Sequence, residues 1–133
     1  MKVMLDTNVL ASAVATRGLC ADVLREVLAE PALVICPQIL SELQRTLLDK
    51  FAAPRQLVND FVRLVRQDSI HCEPGEIPAI KLKDKDDLGI LSAAVGGGAD
   101  VLVTGDKELQ GVGRVEGVKI LSPRQFWEEL KEK

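Results

Sequence analysis

The sequence predicts an α/β fold in which a parallel sheet is covered by helices on both faces. Short runs of β-branched and other apolar residues alternate with longer segments whose apolar residues recur at helical spacing. The predicted strands span residues 2–5, 33–36, 69–72, 101–104 and 118–121. Because helical segments separate these strands, and helical crossovers join parallel strands, we expect a mostly parallel sheet. The predicted architecture is a three-layer α/β/α sandwich.

The helical segments are recognised by their apolar faces and by residues that start or stop helices. They are predicted at residues 9–15, 21–30 and 39–51, from Pro54 onward, from Asp86 or Asp87 to about residue 95, and at 123–131. Pro54 suits a first helical turn. The expected core face of the helix after Pro54 consists of Leu57, Phe61, Leu64 and Val65. Residues 73–85 contain two prolines and a glycine, which predicts an exposed connection.

Length and composition are those of a globular protein. The chain has 133 residues, of which 47% are hydrophobic and 28% charged, and we expect a single domain over residues 1–133. No apolar run approaches the roughly 20 residues of a membrane-spanning helix, and the first apolar run is too brief for a secretory signal. The three cysteines lack paired spacing, which argues against a disulfide framework and a thiolate zinc site. These features predict a cytoplasmic location.

The charge balance limits how a nucleic acid would be bound. The net charge of −3 argues against a protein that binds polyanions through general basicity. The few aromatic residues are scattered, without the interleaving that forms a stacking platform for single strands. A nucleic-acid substrate would therefore need another means of attachment, and a bound divalent metal is one.

Four acidic residues fall near the carboxyl ends of the predicted strands, where ligands bind in open α/β sheets. Asp6 directly follows the first strand, and Asp106 follows the fourth strand after the tripeptide VTG. Glu42 lies in the helix after the second strand, and Asp87 lies at the start of the helix that leads into the fourth. Ionised carboxylates close together repel one another, so a fold tolerates them mainly when a hard cation neutralises the charge. The pattern predicts a Mg²⁺ or Mn²⁺ site suited to metal-assisted hydrolysis of a phosphoester.

Each of the four acids also has a structural explanation, and that of Asp6 is helix capping, because Asp, Thr and Asn are all favoured just before a helix. Asp87 would stabilise a helix N-terminus through the macrodipole. Asp106 would suit a turn, and Glu42 would be an exposed helical residue. Asp84 and Asp86 belong to a charge run with neighbouring lysines, and either one is an alternative to Asp87. The order of the four acids and their positions at strand edges together favour the functional interpretation.

Four segments resemble the PIN-domain ribonucleases and, among these, the VapC-like toxins of type II toxin–antitoxin systems. The segments are MLDTNVL, SEL in the third predicted helix, KDKDDLGILSAAVGGGAD and VLVTGDKEL. The similarity runs from Lys2 to about Phe126, and the last two segments are the most specific. The resemblance implies a five-stranded parallel sheet in the order 3-2-1-4-5 and Mg²⁺- or Mn²⁺-dependent cleavage of RNA.

The resemblance also implies roles for the four acids. Asp6, Asp87 and Asp106 would hold one metal ion, and Glu42 would bind a second ion or orient the attacking water. The water would attack phosphorus in line while the metal offsets charge on the phosphate oxygens. The carboxylate at the end of the first strand is therefore interpreted as a metal ligand.

Several polar residues near these acids are given supporting roles. The resemblance implies Asn8 and Thr104 as polar supports, and Thr7 or Asn8 is expected to cap the helix that follows Asp6. The candidates for phosphate contacts are Arg17, Lys83, Lys85 and Lys107. His71 is the only histidine in the chain, so it is expected to be structural rather than one of a catalytic pair.

The expected partners are RNA, a second copy of the chain and a small antitoxin-like protein. The expectations of a second copy and of an antitoxin-like protein rest on the resemblance and on the apolar stretches 9–14 and 19–28. These stretches hold more apolar residues than one sheet face needs, and exposed apolar patches usually mark interfaces. No membrane partner is expected.

Three other functions compete with a nuclease. A haloacid dehalogenase-type phosphatase needs a second acid where this chain has Asn8, and Gln110 stands where its late motif requires an aspartate. A phosphoacceptor receiver domain needs paired acids after the first strand, where only Asp6 is found. A PIN module that has lost catalysis and binds a protein partner is the third alternative, against which the intact set of four acids argues.

Overall fold

The computed structural model describes residues 1–30, 33–73, 75–76, 80–83 and 85–132, and this part of the chain contains one six-stranded sheet. The strands are β1 (Val3–Leu5), β2 (Leu33–Ile35), β3 (Ile70–His71), β4 (Val101–Val103), β5 (Arg114–Val115) and β6 (Val118–Leu121). Their order across the sheet is β3-β2-β1-β4-β6-β5. All neighbouring pairs are parallel except β5 and β6. The predicted α/β class and the order of the five parallel strands are confirmed.

The sheet has one strand more than predicted, the short antiparallel β5. A two-residue turn joins β5 to β6, and its residues Glu116 and Gly117 have positive φ angles of 47° and 84°. Positive φ at both positions gives a turn whose twist matches that of paired strands. At two residues, β5 is too short for an alternation of apolar and polar residues to reveal it.

Helices flank the sheet and connect its parallel strands. They are α1 (Thr7–Ala15), α2 (Leu19–Ala29), α3 (Pro37–Asp49), α4 (Arg55–Gln67), α5 (Lys85–Gly96), α6 (Lys107–Val112) and α7 (Pro123–Lys131). α1 packs against α2 and α3, α3 also packs against α4 and α5, and α2 packs against α7. The sequence prediction lacks α6, starts α1, α2 and α3 two residues late and starts α5 one or two residues late. Shifts of one or two residues are ordinary at helix ends.

The hydrophobic core is centred on the middle of the sheet. Every residue of β1, β2 and β4 is buried, and helical residues such as Leu10, Leu43 and Leu91 are fully buried in the same apolar cluster. Close packing of this kind leaves little room for side-chain movement. The ends of β1 and β4 therefore rest on a rigid base.

The core face of α4 differs from the prediction. Val58 and Val65 are buried, whereas Leu57 and Leu64 are 50% and 45% exposed; Phe61 is half-buried. The assignment of Leu57 and Leu64 to the core is wrong. Both pairs are seven residues apart, so helical periodicity alone does not choose between them.

The described residues also bear on the membrane and cysteine expectations. No helix among them is long and apolar enough to cross a membrane. All three cysteines are free thiols, with Cys36 and Cys72 buried and Cys20 half-buried. Burial raises the pKa of the Cys36 thiol, and it raises the pKa of Cys72 to about 11. These two thiols stay protonated and act as small apolar core residues.

Candidate active site

A cavity of about 490 Å³ opens at the carboxyl ends of β1 and β4. Its lining includes five acidic residues, and all four acids predicted for the site are among them. These residues are Asp6, Glu42, Asp86, Asp87 and Asp106. Because parallel strands end at the same edge of a sheet, residues far apart in sequence meet at this place.

Asp6 forms the buried floor of the cavity. Its N–H donates to Val103 O at 3.0 Å, which ties the end of β1 to β4. The carboxylate caps α1 by accepting the N–H of Thr7 at 2.7 Å, and it accepts the hydroxyl of Thr104 at 2.8 Å. The expectation that Thr7 or Asn8 caps α1 is therefore wrong, because Asp6 is itself the cap.

Burial sets the electrostatics of Asp6. Only 7% of the residue is exposed, and loss of hydration raises the pKa of its carboxyl above the usual value. The hydrogen bonds from Thr104 and Thr7 oppose that rise, while the negative charges of Glu42 and Asp106 add to it. A nearby cation would relieve both the desolvation and the repulsion.

Asp106 lies on the exposed side of the cavity. Its Oδ1 caps α6 by accepting the N–H groups of Glu108 and Leu109, at 2.8 and 3.1 Å. Its own N–H donates to Thr104 Oγ1 at 3.1 Å. Thr104, which is fully buried, thus joins the two aspartates through one hydroxyl, as a donor to Asp6 and an acceptor from Asp106.

Glu42 is held by a donor on each of its carboxylate oxygens. Thr7 Oγ1 donates to Oε2 at 2.9 Å, and Gln38 Nε2 donates to Oε1 at 3.1 Å. Gln38 lies one turn before Glu42 on α3, and Thr7 is the first residue of α1. The side chain of Glu42 is therefore oriented by two helices at once.

Gln38 also connects α3 to the start of α5. Its Nε2 donates to the backbone oxygen of Asp86 at 3.0 Å. Gly89 leaves room for this contact, since a Cβ at that position would collide with Gln38 Oε1 and the glutamine side chain would have to shift. Asp87 lies beside this contact and is only 9% exposed. Asp84, a sequence alternative to Asp87, lies outside the described residues, whereas Asp86 lines the cavity.

The structure also gives the positions of the polar and basic residues that the sequence places near the four acids. Thr104 is buried and donates a hydrogen bond to Asp6, while Asn8 is exposed at the cavity wall. Arg17, Lys83, Lys85 and Lys107 are all exposed and do not belong to the described lining of the cavity. Two basic residues of α3 and its cap, Arg45 and Lys50, line it instead.

Sequence reasoning gave no role in the site to Gln38, Arg45 or Lys50. Arg45 and Lys50 stand three and eight residues after Glu42, so helical spacing places them about 60° and 80° from Glu42 around the helix. This spacing could have indicated that Arg45 and Lys50 lie on the same side of the helix as Glu42. No comparable signal existed for Gln38, because its role depends on a contact with α5.

The comparisons with known proteins identify the family. The sequence model of the PIN domain family matches residues 2–108. The chain belongs to the PIN domain family. In fold, this PIN domain is similar to a chain in the crystal structure of VapBC2 from Rickettsia felis bound to a DNA fragment from their promoter. The match has a TM-score of 0.61 and 16% identity, and it covers 90% of this chain and 97% of that chain. No curated protein matches the sequence.

Family membership bears on the chemistry of the cavity. PIN domains are typically nucleases that use divalent metal ions. The acids of this PIN domain offer only carboxylate oxygens, the donors that Mg²⁺ and Mn²⁺ prefer. Among the described residues, however, no three acidic, histidine or cysteine side chains are arranged to hold one ion directly. The donor set fits a hard cation, and binding would require the carboxylates to move closer together.

Proposed function

We propose that this PIN domain is a Mg²⁺- or Mn²⁺-dependent endoribonuclease and the toxin of a toxin–antitoxin pair. The observation that carries the nuclease proposal is the convergence of Asp6, Glu42, Asp87 and Asp106 on one cavity. Oxygen ligands, partial burial and a position at the switch point of a parallel sheet suit a metal-dependent hydrolase. Family membership supports the same activity.

The four acids would have different roles in catalysis, because their environments differ. Asp6, Asp87 and Asp106 would hold a divalent cation, which when bound supplies a Lewis acid for the phosphate and the attacking water. The buried carboxylates of Asp6 and Asp87 bring negative charge into a site with little water, so they would bind a cation more strongly than exposed acids do. Asp106 would contribute Oδ2, because its Oδ1 accepts the N–H groups at the start of α6.

Glu42 would orient the attacking water or help to bind a second ion. Its two oxygens are fixed by Thr7 and Gln38, and each oxygen still has a lone pair that can accept another hydrogen bond. A carboxylate fixed in this way can hold a water molecule in one direction, and such positioning lowers the barrier to attack.

The toxin assignment rests on fold similarity to a chain of VapBC2. By that analogy, the chain would act on RNA in the cytoplasm, form a homodimer and be inhibited by a small antitoxin protein. The apolar stretches 9–14 and 19–28 give limited support for interfaces, because Val9, Leu10, Val23, Leu24 and Val27 are buried in the core. Leu57 and Leu64 of α4 are the more exposed apolar residues.

A cleavage assay tests the nuclease proposal. Purified protein incubated with labelled single-stranded RNA should give internal cleavage products with Mn²⁺ or Mg²⁺ and none with excess EDTA. Asp87→Asn keeps the size of the side chain and removes its charge, so this variant should be nearly inactive. Cleavage that persists in EDTA would exclude the metal mechanism. Hydrolysis of phosphate monoesters without cleavage of RNA would favour a phosphatase.

A further inference from the structure

Two exposed cations line the same cavity as the acids. Arg45 lies on α3, and Lys50 is the C-cap residue of that helix. They stand about one and two helical turns beyond Glu42. The cavity therefore has an acidic end against the sheet and a basic end along α3.

Neither cation is neutralised by another side chain of the described residues. The ion pairs formed there are Arg25–Asp22, Arg63–Asp60 and Lys119–Glu129. Lys50 lies over the ring of Phe51, 5.7 Å from its centroid, a contact that orients the ammonium group without removing its charge. Two positive charges are thus available to a ligand at the mouth of an acidic cavity.

The charge distribution makes these cations important for a polyanion. Five acids line the cavity, and the chain as a whole has a net charge of −3. A phosphate chain that approached from the acidic side would be repelled, whereas one that approached along α3 would meet Arg45 and Lys50 first. Local fields of this kind direct the approach of charged ligands.

The depth of the acids favours a flexible strand. Asp6 and Asp87 are less than 10% exposed, so a phosphate must enter the recess to reach them. Duplex nucleic acid is stiff, with a persistence length of about 50 nm, and it cannot bend sharply into a recess of this size. A single strand can turn one phosphate inward while its neighbours stay at the mouth.

We propose that Arg45 and Lys50 bind the phosphates next to the scissile phosphate of a single-stranded RNA that approaches along α3. The identity of the polyanion rests on the proposed function. In this arrangement the main phosphate contacts are made by Arg45 and Lys50 and not by the earlier candidates Arg17, Lys83, Lys85 and Lys107.

The test measures RNA binding without catalysis. An unstructured, fluorescein-labelled single-stranded RNA is titrated with the protein in EDTA over a range of monovalent salt concentrations. Each phosphate contact to a single strand contributes about 0.7 to the slope of log K against log salt. Arg45→Gln and Lys50→Gln should each reduce the slope by about 0.7, and the double variant should reduce it by about 1.4.

The control is Arg124→Gln, which removes one positive charge from an exposed position on α7, outside the cavity lining. It should leave the slope unchanged. Slopes that Arg45→Gln and Lys50→Gln do not alter would overturn the proposal, and so would a native chain that binds no RNA at low salt. Circular dichroism spectra of all variants check that they are folded.

A second readout separates this proposal from the nuclease proposal. If the chain cleaves RNA with Mn²⁺, the two variants should raise KM and leave kcat nearly unchanged, because they remove binding shared by substrate and transition state. Altered salt slopes in a chain that never cleaves RNA would support the phosphate contacts and reject the nuclease. Cleavage with unaltered salt slopes would support the nuclease and reject the phosphate contacts.

Discussion

Asp6 and Asp106 occupy equivalent positions in the chain and different environments in the fold. Each follows a central parallel strand, and each caps the helix that comes next. Asp6 is buried and accepts one backbone N–H and the hydroxyl of Thr104. Asp106 is exposed and accepts two backbone N–H groups on one oxygen. Burial raises the pKa of Asp6 despite its hydrogen bonds.

The comparison shows that two aspartates with the same capping role can have different electrostatic environments. The position after a strand brings a carboxylate to the sheet edge, and the surrounding elements then decide how strongly the charge is desolvated. At Asp6 the nearby Thr7, Glu42 and Thr104 leave little access for water. Loss of hydration is therefore the largest cause of the raised pKa of Asp6.

The largest expected effect is on catalysis. Asp6→Asn should reduce metal-dependent RNA cleavage by roughly a hundredfold or more, the usual size for removing an electrostatic group from an active site. Asp106→Asn should reduce it less, because Asp106 is exposed and solvent screens its charge. Single-turnover rates of the two variants, measured side by side with saturating protein, test the ranking. An equal or greater loss in Asp106→Asn would show that burial does not rank the two acids.

The next effect is on stability, through the hydroxyl that joins the two aspartates. Thr104→Val keeps the shape of the side chain, but it removes the donor to Asp6 and the acceptor for the N–H of Asp106. An unsatisfied buried carboxylate oxygen should lower the free energy of unfolding by about 1–3 kcal/mol at neutral pH. Urea denaturation measures the difference.

Thr104→Ser is the matched control for that substitution. It keeps the hydroxyl and loses one methyl group, which should destabilise the protein by about 1 kcal/mol. The hydrogen-bond explanation fails if valine at this position destabilises the protein no more than serine does.

Much of the fold and the acidic set could be predicted from sequence because both depend on local patterns. Alternation of short apolar runs with helical segments predicts the parallel sheet, and an aspartate directly after a strand must lie at its carboxyl edge. The short β5 and the face of α4 could not be predicted. A two-residue strand has no periodicity, and the pairs Val58/Val65 and Leu57/Leu64 have the same spacing.

The parts of the site that were missed depend on contacts between distant elements. Gln38 has its role because α5 passes close to α3, and Gly89 permits that approach. The cavity excludes the predicted lysines and includes Arg45 and Lys50 because of where α3 runs. Which of several exposed cations faces a cavity is a property of the assembled fold.

A smaller effect is expected on the pH dependence of stability, which should differ between substitutions of Asp6 and Asp106. Since burial raises the pKa of Asp6 above 3.8, the folded state binds this proton more tightly than the unfolded state does. Stability therefore falls as pH rises through the interval between the two pKa values, and the loss persists at neutral pH. Asp6→Asn keeps the cap oxygen and removes the charge, so at neutral pH the metal-free variant should be more stable relative to the native chain than it is in acid.

That gain should disappear in acid, where the native carboxyl is protonated. Thermal melts in EDTA at neutral and acidic pH measure it, with Asp106→Asn as the control on the exposed side. Asparagine at position 106 can still cap α6, and solvent surrounds the native carboxylate, so we expect little change at either pH. Equal stabilisation by both substitutions would contradict the difference in burial.

The smallest expected effect on stability tests the link from Gln38 to Glu42 at the wall of the cavity. Gly89→Ala should stabilise α5 by about 0.5–1 kcal/mol through helix propensity. The new Cβ would displace Gln38 and break hydrogen bonds worth a similar amount, so the net change in the free energy of unfolding should be within a few tenths of a kcal/mol.

Combining Gly89→Ala with Gln38→Ala separates the two contributions. Without the glutamine there is nothing to collide with, and Gly89→Ala should then stabilise the protein by the full amount. Urea denaturation of the four proteins gives the coupling between the sites. Zero coupling would mean that a Cβ at position 89 does not disturb the hydrogen bonds of Gln38.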